Sequence, residues 1–322
     1  MGKYHKNINF ARKLFDDLNF GYVEDWKAQN PSRRIIGYLP IYIPREIIHA
    51  AGMLPVGIFG GGERVQVVKG DAYFQSYICH LPRTVIELAL DGNYAGFDGF
   101  IFPAICDVIR NLSGIFRIKF SDKYIRYLDF PQNFTRAAGG NFYRKELDRL
   151  IADLAQLNGV KITSDNLNRS ITIYNKNRKL IEELRNYRNA NPHKISAVDY
   201  YLIMRAGQTL EVEEHNKMLS EILDSVAEIE APAEDKIRVV ISGSFCEQPP
   251  IGLIKTIENA GCYIVEDDFQ LGLSWFNSDL DDQTSDPLDV LVEAYLHSST
   301  ISSAVYDGDR PKGDALAEQV RV

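Results

Sequence analysis

The chain has 322 residues, 45% of them hydrophobic and 25% charged, with a formal net charge of -8 and four cysteines. That length supports a large core and favours two domains over one; the acidic balance, with no basic stripe, argues against a nucleic-acid surface; and so few cysteines make no disulfide framework. No apolar run approaches the roughly 20 residues of a membrane span, and the opening MGKYHKNINFARKLFDD lacks the apolar centre of a signal peptide, so a cytoplasmic protein with no membrane or nucleic-acid partner is expected.

Residues 7–30 carry Phe10, Leu14 and Leu18 at helical spacing and end at Asn30-Pro31, which predicts an N-terminal helical arm over residues 1–33. Residues 34–44 predict a strand, and PREIIHAAG a helix with Pro44 at its start and Gly52 past its end. The next strand is expected over 54–61. Strand, helix, strand in so short a span points to a parallel sheet. Gly60, Gly61 and Gly62 lack the offsets of a phosphate loop or dinucleotide fingerprint and read as a flexible turn, with backbone approach to a ligand as the alternative. A helical run follows Pro82, and residues 123–133 make a fourth strand.

Between these, FDGFIFPAICDVIRNLSG, residues 97–114, is the organising stretch. Residues 97–103 predict a strand covered on both faces, Cys106 falls on the turn, and Asp107 is the expected N-cap of a helix over 108–118. A helix start favours a thiolate, the form that ligates metals or attacks electrophiles. Cys79 precedes the helical run in SYICHLPRT.

Helices are then expected over 141–158, 165–189, 196–206 and 210–230, starting most clearly at Thr163-Ser164-Asp165 and stopping at Ala231-Pro232. Residues 237–246 open a second parallel unit, with a helix in PIGLIKTIENAG, a strand in CYIVEDDFQ and a helix over 287–298. Residues 315–322 read as a helix just beginning. The expected architecture is α/β: two Rossmann- or flavodoxin-like parallel-sheet domains, 34–140 and 233–322, joined by a helical region over 141–232. A two-strand second sheet is incomplete, so the chain is expected to be truncated within that domain.

With SYICHLPRT, FPAICDVIRNLSG, PREIIHAAGMLP, GSFCEQPP and GCYIVEDD in view, the sequence resembles the family of benzoyl-CoA reductases and 2-hydroxyacyl-CoA dehydratases from about Asp25 to Val322. The resemblance implies a subunit that carries a [4Fe-4S] cluster between α/β domains, a homologous partner that binds cluster or substrate, separate ATPase subunits that use the ATP, and ferredoxin as electron source. It implies Cys79 and Cys106 as the first two cluster ligands. The third lies in an SFCDP motif that this sequence lacks; SFCEQP at Cys246 follows the wrong strand, so the third ligand is expected beyond Val322.

The function implied is ATP-dependent reduction of the benzoyl-CoA ring to a cyclic dienoyl-CoA by low-potential single electrons, in anaerobic aromatic degradation. A 2-hydroxyacyl-CoA dehydratase subunit and a non-catalytic partner of the substrate-binding homologue are the alternatives. Zinc at Cys79, Cys106 and His80 is a weaker one, since no C-x-x-C pair supports it. Cys246 and Cys262 read as packing residues. His80 is a hydrogen-bond donor to Cys79 or a satisfied histidine, and His49 a packing residue. Arg83 and Arg110, one turn after each candidate cysteine, would stabilise cluster charge or hold a CoA phosphate, or are helix-surface arginines. Glu266, Asp267 and Asp268 read as a solvated turn or a polar loop at the cleft.

Overall fold

The structure is a computed structural model and describes residues 2–39, 41–243, 248–269, 273, 275–276, 279–302 and 304–321. Two helices precede the first strand. They are α1 (Lys3–Asp16) and α2 (Gly21–Ala28), and they correct the single helix expected over 7–30. Asp17 causes the break: its carboxylate accepts the Asn19 and Gly21 N–H groups at 2.9 and 2.6 Å, and Phe20 turns left-handed at φ 57°.

Four parallel strands follow in alternation with helices: β1 (Ile35–Tyr38), α3 (Arg45–Ala50), β2 (Leu54–Gly57), α4 (His80–Asp91), β3 (Gly99–Pro103), α5 (Asp107–Lys119) and β4 (Tyr124–Leu128). Their order in the sheet is β2-β1-β3-β4. β1, β2 and β3 are buried along their whole length, as a sheet covered on both faces requires. Side chains alternate between two cores. Ile35, Phe100 and Phe102 face α4 and α5, whereas Ile36, Tyr38 and Ile101 face the opposite layer. On the first face Phe97, Phe100, Phe102 and Phe116 interlock edge to face or stacked, with centroids 5.0 to 6.5 Å apart. Gly37 makes this possible. A Cβ there would stand 2.6 Å from the Phe100 ring, so only glycine lets the central strands close around it.

The helical stretch contains α6 (Asn141–Asn158), α7 (Ser164–Ala190), α8 (Ala197–Ala206) and α9 (Val212–Val226). Thr163 caps α7 reciprocally with Asn166. At about 1.5 Å per residue, α7 runs roughly 40 Å. It places Leu167 and Ile171 in the core on the face away from α4 and α5, and Ile181 and Leu184 in a third core built with α1, α8 and α9. A two-stranded parallel sheet of β5 (Ile237–Ile241) and β6 (Cys262–Asp267), linked by α10 (Ile251–Asn259), packs on α8. Last come α11 (Pro287–Ser298), which packs against α6 and α7 in the core of the first sheet, and α12 (Lys312–Val320). Among the described residues no helix is long and apolar enough to cross a membrane.

His215 of α9 is 1% exposed, with Nδ1 2.9 Å from the Asn177 amide and Nε2 3.1 Å from the Ile203 carbonyl. Burial holds its ring at about 3, against an ordinary 6.5, with Arg45 adding repulsion. Between those two values the unfolded chain binds a proton that the folded chain refuses. Stability therefore rises with pH across that window and is lost as pH falls through it. Urea midpoints measured from pH 7 down to pH 4 are expected to drop steeply in the native chain and less steeply in His215→Gln.

Candidate functional site

Parallel pairing sends every strand of the first sheet out at one edge, and the helices that follow begin there. β3 ends at Pro103, and the chain turns through Ala104 and Ile105, whose N–H groups bond to Leu128 and Pro103 carbonyls at 2.9 and 2.8 Å. Cys106, and not Asp107, is then the N-cap of α5. Its backbone is fully extended and its carbonyl accepts the first helical bond, from Arg110 N–H at 3.2 Å. Asp107 occupies the first helical position, where its carboxylate complements the positive helix end.

Cys79 holds the same place on α4, which starts at His80, two residues before the expected Pro82. Both cysteines are exposed, and neither side chain caps its own helix. α4 and α5 pack against each other through Val85, Ile86, Ile109, Leu112 and Phe116. Two thiols thus stand at the starts of neighbouring helices on the carboxyl edge of the sheet. The chemistry of this pair suits iron, because Fe–S clusters are held by cysteine sulfur. The pair offers two thiols. Among the described residues no three His, Cys, Asp or Glu side chains converge on a metal position. Cys262 is half-buried at the head of β6, in the other sheet, and Cys246 lies outside the described residues.

The neighbours of the thiols divide. A His80 ring nitrogen lies 3.1 Å from the Gly62 carbonyl. Arg83 bonds Asp71 through Nε at 2.9 Å and Ser76 O at 3.3 Å, so it ties down the 71–76 loop. Arg110 lies 5.6 Å from the Tyr127 ring centroid. His49 bridges α3 to α7 and α9 through Ser170 Oγ at 2.9 Å and Glu213 at 3.3 Å, more than packing alone. Two arginines that pattern reading passed over, Arg64 and Arg205, meet at a cavity of about 550 Å³ beside the start of α4, with Gly60, Gly61 and Gly62 in its wall. They come from segments far apart in the chain, and no local motif joins them.

At the end of β1 the fully buried Ile41 and Tyr42 both adopt left-handed backbone, φ 69° and 59°. Such conformations cost about 1–3 kcal/mol each and persist only where surroundings enforce them. Tyr42 is held by Thr300 O at 2.8 Å and Ser302 Oγ at 3.0 Å, and by the rings of Phe130, Trp275 and Tyr295. The strain sits where strand order reverses, between β1 and β3.

Glu266, Asp267 and Asp268 are not a solvated turn. Glu266 accepts Asn189 Nδ2 at 2.6 Å, Asp267 pairs with the buried Arg188 at 3.2 Å, and Asp268 takes Ser242 Oγ at 2.8 Å and Lys312 Nζ at 3.0 Å. They face a cleft of about 960 Å³ between α7, β6 and α12. Arg188 lies 79 residues upstream of Asp267, a separation that hides the pairing from local pattern.

Residues 40–321 match the family described as 2-hydroxyglutaryl-CoA dehydratase, D-component. Over 309 residues the chain is 50% identical to the C subunit of benzoyl-CoA reductase from Thauera aromatica, covering 96% of this chain and 80% of that protein. It is 26% identical to the (R)-phenyllactyl-CoA dehydratase beta subunit of Clostridium sporogenes, over 91% and 76% of the two chains. With the (R)-2-hydroxyglutaryl-CoA dehydratase beta subunit of Acidaminococcus fermentans the identity is 32%, over 76% and 63%.

The glycine turn that abuts α4 gives a sharp expectation. At Gly60, φ is +63° and a Cβ would stand 2.0 Å from Thr84 Oγ1, whereas at Gly62, φ +53°, a Cβ would meet nothing within 4 Å. Gly62→Ala is expected to cost about 1 kcal/mol from backbone conformation alone. Gly60→Ala is expected to cost about 1–3 kcal/mol more, by overpacking against Thr84 in the second turn of α4. Denaturant midpoints of the two variants check the order.

Proposed function

Because the chain belongs to the 2-hydroxyglutaryl-CoA dehydratase D-component family, we propose that it is the iron–sulfur-carrying subunit of an ATP-dependent benzoyl-CoA reductase. In the coarser sense it is an oxidoreductase subunit. The observation that carries the finer reading is the pair of exposed thiols, Cys79 and Cys106, heading two helices that lie side by side.

In this reading Cys79 and Cys106 bind two irons of a [4Fe-4S] cluster held between α/β units, with further ligation from outside the described residues. Once bound, the cluster supplies low-potential electrons one at a time. The chain's own part is electrostatic and positional. The N-termini of α4 and α5 direct partial positive charge at the thiolates and offset the negative charge that accumulates on reduction. The rigid Phe-rich layer beneath keeps the two helix starts in register.

Two electrons and two protons add across the ring of the CoA thioester to leave a cyclic diene. ATP is spent by partner ATPase subunits fed by ferredoxin, and a homologous subunit binds cluster or substrate. Residues 1–33 then act as an arm, 34–140 as the cysteine-bearing unit, 141–232 as a helical connector and 233–322 as part of a second unit.

A second reading, elimination of water from a 2-hydroxyacyl-CoA, is favoured by the three dehydratase beta subunits among the relatives, at 26% to 32% identity. The native complex, supplied with ATP and reductant, is expected to convert benzoyl-CoA to the diene and to leave 2-hydroxyacyl-CoA unchanged. Activity confined to the hydroxyacyl substrate would overturn the reductase reading. Cys79→Ser and Cys106→Ser are each expected to slow ring reduction by more than the roughly 10–100-fold typical of changes outside the ligand sphere.

A further inference from the structure

The cavity beside α4 concentrates positive charge that its own acids balance only weakly. Two guanidiniums lie over the Phe15 ring of α1, Arg64 at 4.2 Å and Arg205 at 5.2 Å from its centroid. Arg205 also lies 4.3 Å from the Phe59 ring and donates Nη1 to Tyr201 Oη at 3.1 Å. Arg64 donates Nη1 to the Phe15 carbonyl at 2.6 Å and Nε to the Gly61 carbonyl at 3.3 Å. Arg12 lines the same cavity.

The acids in its wall are Asp16 and Glu63, both exposed. Asp16 approaches Arg64 only to 3.9 Å, and among the described residues Arg205 makes no ion pair. Arg205 therefore keeps most of its five donors for something else. Burial first, and then the Arg205 charge, push the Arg64 guanidinium below its ordinary value. Two like charges held around one ring repel, and a bridging anion relieves them. At about 550 Å³ the cavity falls within the range of small-molecule sites. The glycine turn that carries Arg64 forms part of the same wall.

We propose that this cavity binds the phosphate-bearing end of a CoA thioester, with Arg64 and Arg205 pairing to phosphate oxygens. The inference rests on the reading of the chain as acting on such a thioester. Arginine suits the task because its planar fork meets phosphate oxygens two at a time. The long pantetheine arm separates the phosphates from the acyl group, so the pocket need not adjoin the ring that reacts.

Calorimetric titration of the assembled complex with CoA and pantetheine tests this without turnover. CoA is expected to bind, pantetheine not to compete, and Arg64→Gln and Arg205→Gln each to weaken CoA about 10-fold or more, as loss of a charge-assisted pair predicts. Arg205 is wedged among rings, so Arg64→Gln, on an exposed turn, keeps the test decisive if Arg205→Gln fails to fold. Unchanged CoA affinity in the variants, or pantetheine competing as well as CoA, would each overturn the inference. Ring reduction with CoA affinity untouched by both changes refutes this site alone. Affinity lost in the variants of a complex that holds no iron refutes the cluster reading alone.

Discussion

The order of four parallel strands, β2-β1-β3-β4, is the constraint on which the candidate site depends. A parallel connection must return to the same end of the sheet before its next strand begins, so each helix starts at the carboxyl edge. α4 follows β2 and α5 follows β3, and the crossover past β1 brings these two helices together on one face. Two cysteines well separated in sequence thereby become helix caps at a common edge. Were the sheet antiparallel, the same residues would lie at opposite ends.

Packing and charge then fix what topology arranges. Gly37 admits the Phe100 ring, and the phenylalanine layer beneath α4 and α5 leaves the helices little freedom to slide. On the opposite face α3 carries a buried Glu46 paired to Arg178 of α7 at 2.7 Å, beside the equally buried Arg45, which reaches the Leu273 carbonyl at 3.2 Å. Breaking such a buried pair from one side costs about 3–5 kcal/mol. α7 carries this restraint onward, since Arg188 near its far end grips Asp267 and the Val265 carbonyl of the second sheet. One long helix thus anchors both sheets through arginines.

Much of this was legible in the order of residues. Pro44 and Gly52 bracket α3 because proline suits a helix start and glycine the left-handed exit, here at φ 72°. The apolar run before Cys106 announced a covered strand, and Thr163 announced the start of α7. Other features were not local. Asp17 breaks the first helix through its side chain, which a hydrophobic period does not register. The cap fell on Cys106 instead of Asp107, since the backbone turns one residue earlier than the better capping side chain suggests. Glu266, Asp267 and Asp268 look solvated until Asn189 and Arg188 arrive from α7, and Arg64 and Arg205 come together only over the Phe15 ring that α1 supplies. The signal that would have found the last pair is compositional: arginines and aromatics near a glycine turn with few acids beside them.

The central claim is that Cys79 and Cys106 hold iron together. Iron and acid-labile sulfide, measured with EPR of the reduced protein after anaerobic purification of the whole complex, address it most directly when the native chain, Cys79→Ser and Cys106→Ser are compared. A [4Fe-4S] signal assigned to this subunit is expected in the native complex, lost or altered to the same extent by either substitution. A native protein free of iron, or a signal that both substitutions leave unchanged, would contradict the claim.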